Sequence, residues 1–386
     1  MIYLDNNATT RTAPVVVEAM QVYWSDAYYN PTSVAGHIEG VRGPLDLAVQ
    51  QLAGLLNASP DEFTLTSGAT EANNWVVQSV ATERLRTTGS CHVLVSAIEH
   101  SSIIETAAEL SLRDPRIEIG HVPVNRHGVL ELEALRQMLR PETALVSVML
   151  ANNETGVLQP VEEASQMVQQ EVPQCFFHSD ATQVVGKSVV DLQALEQVDF
   201  LSLSAHKFHG PKGIGALFAR RGTRLESWML GGSQQAGRRA GTENPALAAG
   251  LAKAIELLGS NREIKIRAGS IAKLRNLLEE GLMAIHPGTL ILGHGTPRLE
   301  NTSLSVFPNA EGEMLVHHLF DHGIVASTGA ACDNGSDRPS HVVISMGVSY
   351  STARNALRFS LSQYNDKSEI DRCIRVLQGI ARPLTD

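Results

Sequence analysis

An α/β fold is predicted for this chain, with a large domain on a mostly parallel sheet and a smaller α/β domain toward the C-terminus. Three observations predict it. From about residue 60 to 220, short apolar runs alternate with amphipathic segments. From about 246 to 285 the chain reads as long helices. From about 290 the pattern changes to short strand-like runs mixed with helical ones. Strands that alternate with helical segments pair in parallel, because each crossover supplies a helix to cover the sheet.

In chain order, strands are expected at 63–66, 92–96, 144–150, 175–179, 200–203 and 215–219. Helices are expected between several of them, at 69–85, 132–139 and 161–170. The segments 246–258 and 264–285 carry apolar residues at helical spacing and are read as the long helices. Beyond them, 290–292, 302–306 and Val325 are read as short strands, and the N-terminal stretch up to about Pro14 is expected to pack on that smaller domain. Ligands of such sheets bind at the carboxyl ends of the strands, which directs attention to Asp180 and Lys207.

Composition narrows the function. The chain has 386 residues, 43% of them hydrophobic, enough for one large domain and a smaller one. A net charge of −10, with Lys and Arg scattered, does not make a nucleic-acid surface the default, and direct nucleic-acid binding is not expected. No apolar run reaches the roughly 18 residues of a membrane span, and the first residues show no secretory pattern. Four cysteines (Cys91, Cys175, Cys332, Cys373) are widely spaced and form no metal-binding pattern, so no metal is expected. Free thiols fit a reducing compartment, and a cytoplasmic protein is expected.

Lys207 follows the strand-like run Phe200-Leu201-Ser202-Leu203. A lysine at the end of a buried strand is desolvated, which favours the neutral, nucleophilic amine. Such an amine forms a Schiff base with a carbonyl cofactor such as pyridoxal phosphate. Asp180 ends another apolar stretch and suits the pyridinium nitrogen of that cofactor. The run Thr66-Ser67-Gly68-Ala69-Thr70-Glu71 leaves a strand and opens a helix. There the unpaired N–H groups and the helix dipole can hold a phosphate, with the Thr70 hydroxyl beside them; an ordinary capped helix is the other reading. Ser204 and His206 could add phosphate ligands. His100 could stack on a pyridine ring and act as acid or base, or be a buried structural histidine. Asn153 or Gln183 could hold the ring's phenolate oxygen.

Three further features point outward from the cofactor. The glycine-rich run from Gly231 to Pro245 suits a loop approaching a phosphate or a second subunit. Cys332 lies among small residues and glycines, which favours an accessible, reactive thiol over a buried one. Arg358 sits inside an apolar strand-like segment, where a guanidinium needs an anion: a substrate carboxylate or a structural salt bridge.

Together these residues resemble the cysteine desulfurase family of the nitrogen-fixation and iron–sulfur-assembly group. The resemblance runs from Tyr3-Leu4-Asp5-Asn6-Asn7-Ala8-Thr9-Thr10 to Arg358-Phe359-Ser360. Its most specific pieces are Ser67-Gly68-Ala69-Thr70-Glu71, Asp180-Ala181-Thr182-Gln183, Ser204-Ala205-His206-Lys207, and Cys332 with Ser340-His341-Val342. It implies a fold type I pyridoxal-phosphate transferase, class V aminotransferase-like, with a sheet of seven-stranded type. Residues 15–257 would form the large domain, and 1–14 with 258–386 the small domain carrying the cysteine loop. By position, Lys207 resembles the Schiff-base lysine, Asp180 the pyridinium partner and His100 the ring-stacking acid/base. Asn153 and Gln183 resemble the ligands of the ring oxygen, with Asn153 also beside the substrate. Ala69, Thr70, Ser204 and His206 resemble the phosphate cup. Thr242 resembles the residue that reaches the phosphate of the partner in a homodimer. Arg358 resembles the substrate-carboxylate arginine and Cys332 the sulfur-accepting nucleophile.

The activity implied is conversion of L-cysteine to L-alanine, with a persulfide on Cys332 for transfer to an acceptor protein. A selenocysteine lyase, another class V enzyme, or a non-enzymatic sulfur-pathway scaffold are the alternatives. Two stretches depart from the family pattern: the spacing from Asn30-Pro31-Thr32-Ser33 to His37 and Arg42, and the acidic Asp333 and Asp337 after the cysteine.

Overall fold

The computed structural model describes residues 1–308, 310–329 and 339–381. The chain opens with β1 (Ile2–Tyr3), α1 (Pro14–Ser25), α2 (Val34–Ile38) and α3 (Gly43–Leu56). There follow β2 (Phe63–Thr66), α4 (Ala69–Thr88), β3 (Cys91–Ser96), α5 (Ser101–Arg113), β4 (Ile117–Val122) and α6 (Leu132–Met138). Next come β5 (Thr143–Ser147), α7 (Val161–Glu171), β6 (Phe176–Asp180), β7 (Phe200–Ser204) and β8 (Gly215–Ala219). Two long helices, α8 (Pro245–Leu258) and α9 (Asn261–Ile285), lead to β9 (Leu290–Leu292), β10 (Thr302–Val306), α10 (Gly312–Asp321) and β11 (Ile324–Val325). The described chain closes with α11 (His341–Ser345), α12 (Tyr350–Ala353), β12 (Ala356–Ser360) and α13 (Lys367–Ala381).

The expected α/β fold with a mostly parallel seven-stranded sheet is observed, in the order β2-β8-β7-β6-β5-β3-β4. All neighbours pair in parallel except β8, which is antiparallel to both β2 and β7. Because β8 alone is reversed, the carboxyl ends of β2, β3, β4, β5, β6 and β7 all emerge on one edge. The chain moves outward from β3 to β4 and then back to β5 on the other side of β3. A crevice opens where the direction of winding changes, and the segments after β3 and β5 flank it.

Periodicity sets most of these elements. α9 starts at a capping box: Ser260 Oγ accepts from Glu263 N–H while Glu263 accepts from the Ser260 N–H. α3 ends at Asn57 in the left-handed region, φ 55°, where an asparagine tolerates the crowding better than most residues. Helices cover both faces of the sheet. One core joins α3 and α8 to β2, β7 and β8 through Leu52, Leu56, Leu203, Phe218 and Leu251. A second packs α4 and α5 on β3 and β5 through Trp75, Val77, Val95 and Ile103.

A separate three-stranded sheet, β12-β10-β9, is antiparallel throughout. With α9, α10 and α13 it encloses its own core of Leu278, Leu282, Leu319, Phe359 and Leu377. Ile2 and Leu4 belong to this core, because β1 pairs in parallel with β11, Ile2 opposite Ile324. The strand expected through residue 150 ends at Ser147, and Val148 and Met149 stay buried beyond it. The edge strand β4 was not expected; its exposed Glu118 and His121 give it too weak an apolar signal.

Glu279 on α9 grips Arg298 with both oxygens, at 2.7 and 2.6 Å, and both side chains are buried. Removing one member of such a pair leaves an uncompensated buried charge. Glu279→Ala should destabilise the fold by about 3–5 kcal/mol, read as a lower midpoint in urea denaturation.

Candidate active site

Each expected site residue on a described segment stands at the shared edge of the large sheet or faces it. Asp180 is the last residue of β6. Lys207 closes the single 3-10 turn Ala205–Lys207 that follows β7. His100 caps the N-terminus of α5, just past β3. Asn153 lies in the turn after β5, where Asn152 Oδ1 accepts from the N–H groups of Glu154 and Thr155. Ser67 and Gly68 lead from β2 into α4.

A hydrogen-bonded run links two of these residues. Asn73 on α4, fully buried, donates through Nδ2 to Asp180 Oδ2 at 2.7 Å and to Ser102 Oγ at 2.9 Å. Ser102 Oγ in turn lies 2.8 Å from His100 Nδ1, which also accepts from the Ser102 N–H at 3.1 Å. With Nδ1 accepting, the proton of the neutral ring sits on Nε2. Desolvation lowers the His100 pKa, with Asp180 opposing and Lys207 and His341 adding to the shift, so the neutral ring is favoured. Asp180 Oδ1 accepts from the Thr182 N–H at 2.9 Å. Both oxygens of this buried carboxylate are thus held by neutral donors, and among the described residues no cation forms a salt bridge with it.

Lys207 Nζ donates to the backbone oxygens of Asn7 at 2.5 Å and Ala8 at 2.8 Å. His206 Nδ1 meets Thr9 Oγ1 at 3.0 Å. At the head of α4, Ser204 Oγ accepts from the Ala69 N–H at 2.7 Å. Gly68 adopts φ 153°, and a Cβ there would sit 3.2 Å from Ser204 Oγ. Gly215 lies so close beneath that a Cβ on it would come within 2.7 Å of Gly68 Cα. The small residues therefore leave a cup open at the helix N-terminus, with Thr70 exposed at its rim. Thr242 is also exposed and lines a cavity with Ser67, Arg239 and Gly241.

Arg358 is 2% exposed and pairs through Nη2 with Asp5 Oδ1 at 2.7 Å, while Nη1 donates to the Asn153 oxygen at 3.1 Å. Its Nε is buried without a partner among the described residues. The salt bridge anticipated as one answer for Arg358 is therefore present, and one donor remains for a second anion. The Thr182 hydroxyl, two residues past Asp180, is likewise buried without a partner among the described residues.

Cys332, with Asp333 and Asp337, lies outside the described residues. Gly329 and Ser340, which flank that segment, are both tied to the site. Arg358 Nη1 lies 3.5 Å from the Gly329 oxygen, and Ser340 Oγ donates to Glu154 Oε2 at 2.6 Å. The three described cysteines are buried, and desolvation pushes Cys91 up to about 11, Cys373 up to about 12, and Cys175 further still.

Sequence reasoning did not single out Asn7, Asn73, Ser102 or Lys187. Asn73 was visible within the expected motif, and its place four residues after Ala69, one helical turn into α4, is the signal that points it at the sheet edge. The donor set fits pyridoxal phosphate. A buried carboxylate at one strand end suits a ring nitrogen, a lysine stands at the next strand end, and a cup lined by backbone and hydroxyl groups suits a phosphate. Among the described residues no cluster of His, Cys, Asp and Glu could hold a metal ion, and no helix is long and apolar enough to cross a membrane.

The family model described as Aminotransferase class-V matches residues 2–373. A protein of Cereibacter sphaeroides named cysteine desulfurase is 41% identical over 99% of this chain and 96% of its own length. Among solved structures, one titled NIFS-like protein superposes with a TM-score of 0.90 at 36% identity, covering 99% of this chain and 100% of its own. Another, titled SspA in complex with cysteine, gives a TM-score of 0.82 at 28% identity over 95% of this chain and 100% of its own.

Two histidines near the site make stability depend on pH. Desolvation pushes both His178, bridged between Ser147 Oγ and Ser202 Oγ, and His206 down to about 4. Unfolded histidines take up protons near 6.5, so between about 6.5 and 4 the unfolded chain binds more protons than the folded one. Stability should hold above about 6.5 and fall as the pH drops toward 4. Thermal melts across that range check this, and His178→Asn should lessen the slope.

Proposed function

The chain belongs to the aminotransferase class-V family, among its cysteine desulfurases, and from that premise we propose how it works on L-cysteine: it releases L-alanine and retains the sulfur as a persulfide on Cys332. The observation that carries this reading is the run Asp180–Asn73–Ser102–His100 at the strand ends beside Lys207. The family's cofactor is pyridoxal phosphate. When bound, it supplies an electrophilic carbon for amines and a ring that accepts electrons from the bonds being broken at the substrate.

Lys207 Nζ would be the amine that holds the cofactor, and it would also be the base that moves the Cα proton of L-cysteine. Asp180 would keep the proton on the ring nitrogen, and the two donors on its oxygens fix its direction. His100 would cover the ring face with its proton on Nε2. Asn153 and Gln183 would serve the ring oxygen. The phosphate would be held by the head of α4 at Ala69 and Thr70, by Ser204 and His206, and by Thr242 of a second copy.

Arg358 offers Nε to the substrate carboxylate while Asp5 holds its far side. The Cys332 thiolate attacks the substrate sulfur. An S–S bond forms, the substrate's Cβ–S bond breaks with its electron pair going to carbon, and protonation there yields alanine. The other cysteines are too deeply buried for this part. The persulfide then passes to an acceptor protein, an iron–sulfur scaffold or another sulfur carrier.

Residues 15–257 form the large domain of this reading, and 1–14 with 258–386 the small one; the pairing of β1 with β11 supports that division. Unpaired thiols at Cys91, Cys175 and Cys373 fit a cytoplasmic protein. Val17, Val22 and Trp24 on α1, and Val34 and Ile38 on α2, are exposed apolar side chains that a second copy would cover.

Three measurements test the reading. Lys207→Ala should lose the visible absorbance of covalently held cofactor. Cys332→Ala should keep that absorbance while sulfide release from L-cysteine falls to background; full activity in this variant would exclude Cys332 as nucleophile. Sedimentation should give twice the 41.6 kDa chain mass, and a monomer at micromolar concentration would remove Thr242 from the phosphate site.

A further inference from the structure

A second lysine reaches the site from behind. Lys187 follows Gln183 by four residues, just after β6. Its Nζ lies 2.6 Å from Gln183 Oε1 and 2.8 Å from Asn7 Oδ1. Both amides are oriented independently of the lysine. Gln183 Nε2 donates to the Asn7 backbone oxygen at 3.1 Å, and Asn7 Nδ2 donates to the Asn153 backbone oxygen at 3.1 Å. A backbone oxygen can only accept, so each amide must turn its own oxygen toward Lys187. Lys187 must therefore donate to both.

The same two residues serve Lys207. Asn7 O accepts from Lys207 Nζ and from Gln183 Nε2. Gln183 Nε2 has two hydrogens: Asn7 takes one, and the second is the one a ring oxygen would accept.

We propose that Lys187 is a positioning residue for the cofactor site, locking Gln183 and Asn7 so that Gln183 presents an N–H to the ring oxygen and Asn7 presents its backbone oxygen to Lys207. This rests on the proposed cofactor reading. No carboxylate forms a salt bridge with Lys187 among the described residues. The charged groups around it are Lys207 and Arg358 on the site side, and His209, Arg267 and Glu300 across the cavity it lines. Desolvation, then Lys207 and Arg358, drives its pKa well below the usual lysine value. A neutral amine keeps two N–H donors, one for each amide oxygen, so the lock needs no charge.

The test is the pH titration of the visible band of the loaded enzyme. A donor to the ring oxygen favours its deprotonated form, so loss of that donor raises the midpoint. Lys187→Met should shift the midpoint up by about one pH unit, equivalent to about tenfold in proton affinity. Lys187→Gln, which keeps an N–H donor without a charge, should titrate as wild type does. In a Gln183→Ala background, Lys187→Met should move the midpoint by less than half as much, because its route runs through Gln183. If Lys187→Met does not fold, Lys187→Ser replaces it, with the same upward shift expected.

A wild-type midpoint in Lys187→Met or Lys187→Ser overturns the proposal. So does an equal shift in Lys187→Gln, which would mean that the lysine acts through charge alone. Wild-type protein that takes up no pyridoxal phosphate overturns the proposed function itself, whereas a wild type that titrates together with an unshifted variant overturns only the role of Lys187.

Discussion

Asn7 is where three distant stretches of chain become one site. Its backbone N–H reaches Ser360 Oγ, its side chain reaches Thr302, Asn301 and Lys187, and its backbone oxygen takes Lys207 and Gln183. The residue is 1% exposed, so each of these polar groups needs a protein partner. Losing one partner leaves the others strained or unsatisfied, so the network settles as a whole. Along the seam these directional bonds lie alongside an apolar cluster that joins Ile98, Val124 and Met149 to Leu304, Val342 and Met346. That suits a site whose residues must come from both sides.

The large sheet contributes direction. Reversing β8 alone keeps six strand ends on one edge, so one crevice receives β3, β5, β6 and β7 together with the head of α4. Chemistry then depends on short loops fixed to rigid strands, an arrangement that holds reacting groups closely. Small residues matter where backbones nearly touch, at Gly68 and Gly215, since a side chain at either would close the phosphate cup. Both ends of the cysteine segment return to the same place: Gly329 beside Arg358 and Ser340 on Glu154.

Much of the architecture was legible because burial and periodicity leave direct marks. β2, β8, β9 and β10 match the apolar runs in extent. α4 runs three residues beyond its expected end, to Thr88 with Gly89 in the left-handed region, because polar residues can prolong a helix without signalling it. Apolar content reports burial and not pairing, which is why the expected strand through residue 150 overran Ser147. The edge strand β4 failed the opposite way, through exposed polar residues on a paired backbone.

For the site, Lys207 and Asp180 were legible from their strand-end positions. Their partners were not. Asp5 meets Arg358 across 353 residues, and Lys187 meets Asn7 across 180. No local pattern records a contact of that span. Asn73 was quoted only as part of a motif, and its link to Asp180 depends on how α4 lies over β6.

The pairing of β1 with β11, together with Asp5 on Arg358, bears on how the polypeptide matures. Synthesis runs from the N-terminus, so Asp5 waits for a partner made 353 residues later. Until residue 358 has left the ribosome, Asp5 has no guanidinium to pair with, and Ile2 and Leu4 have no core to enter. The large sheet has no such delay, since its strands lie between residues 63 and 219. Assembly on the ribosome is therefore ordered: the sheet can close while residues 2–5 are still unpaired, and their docking follows.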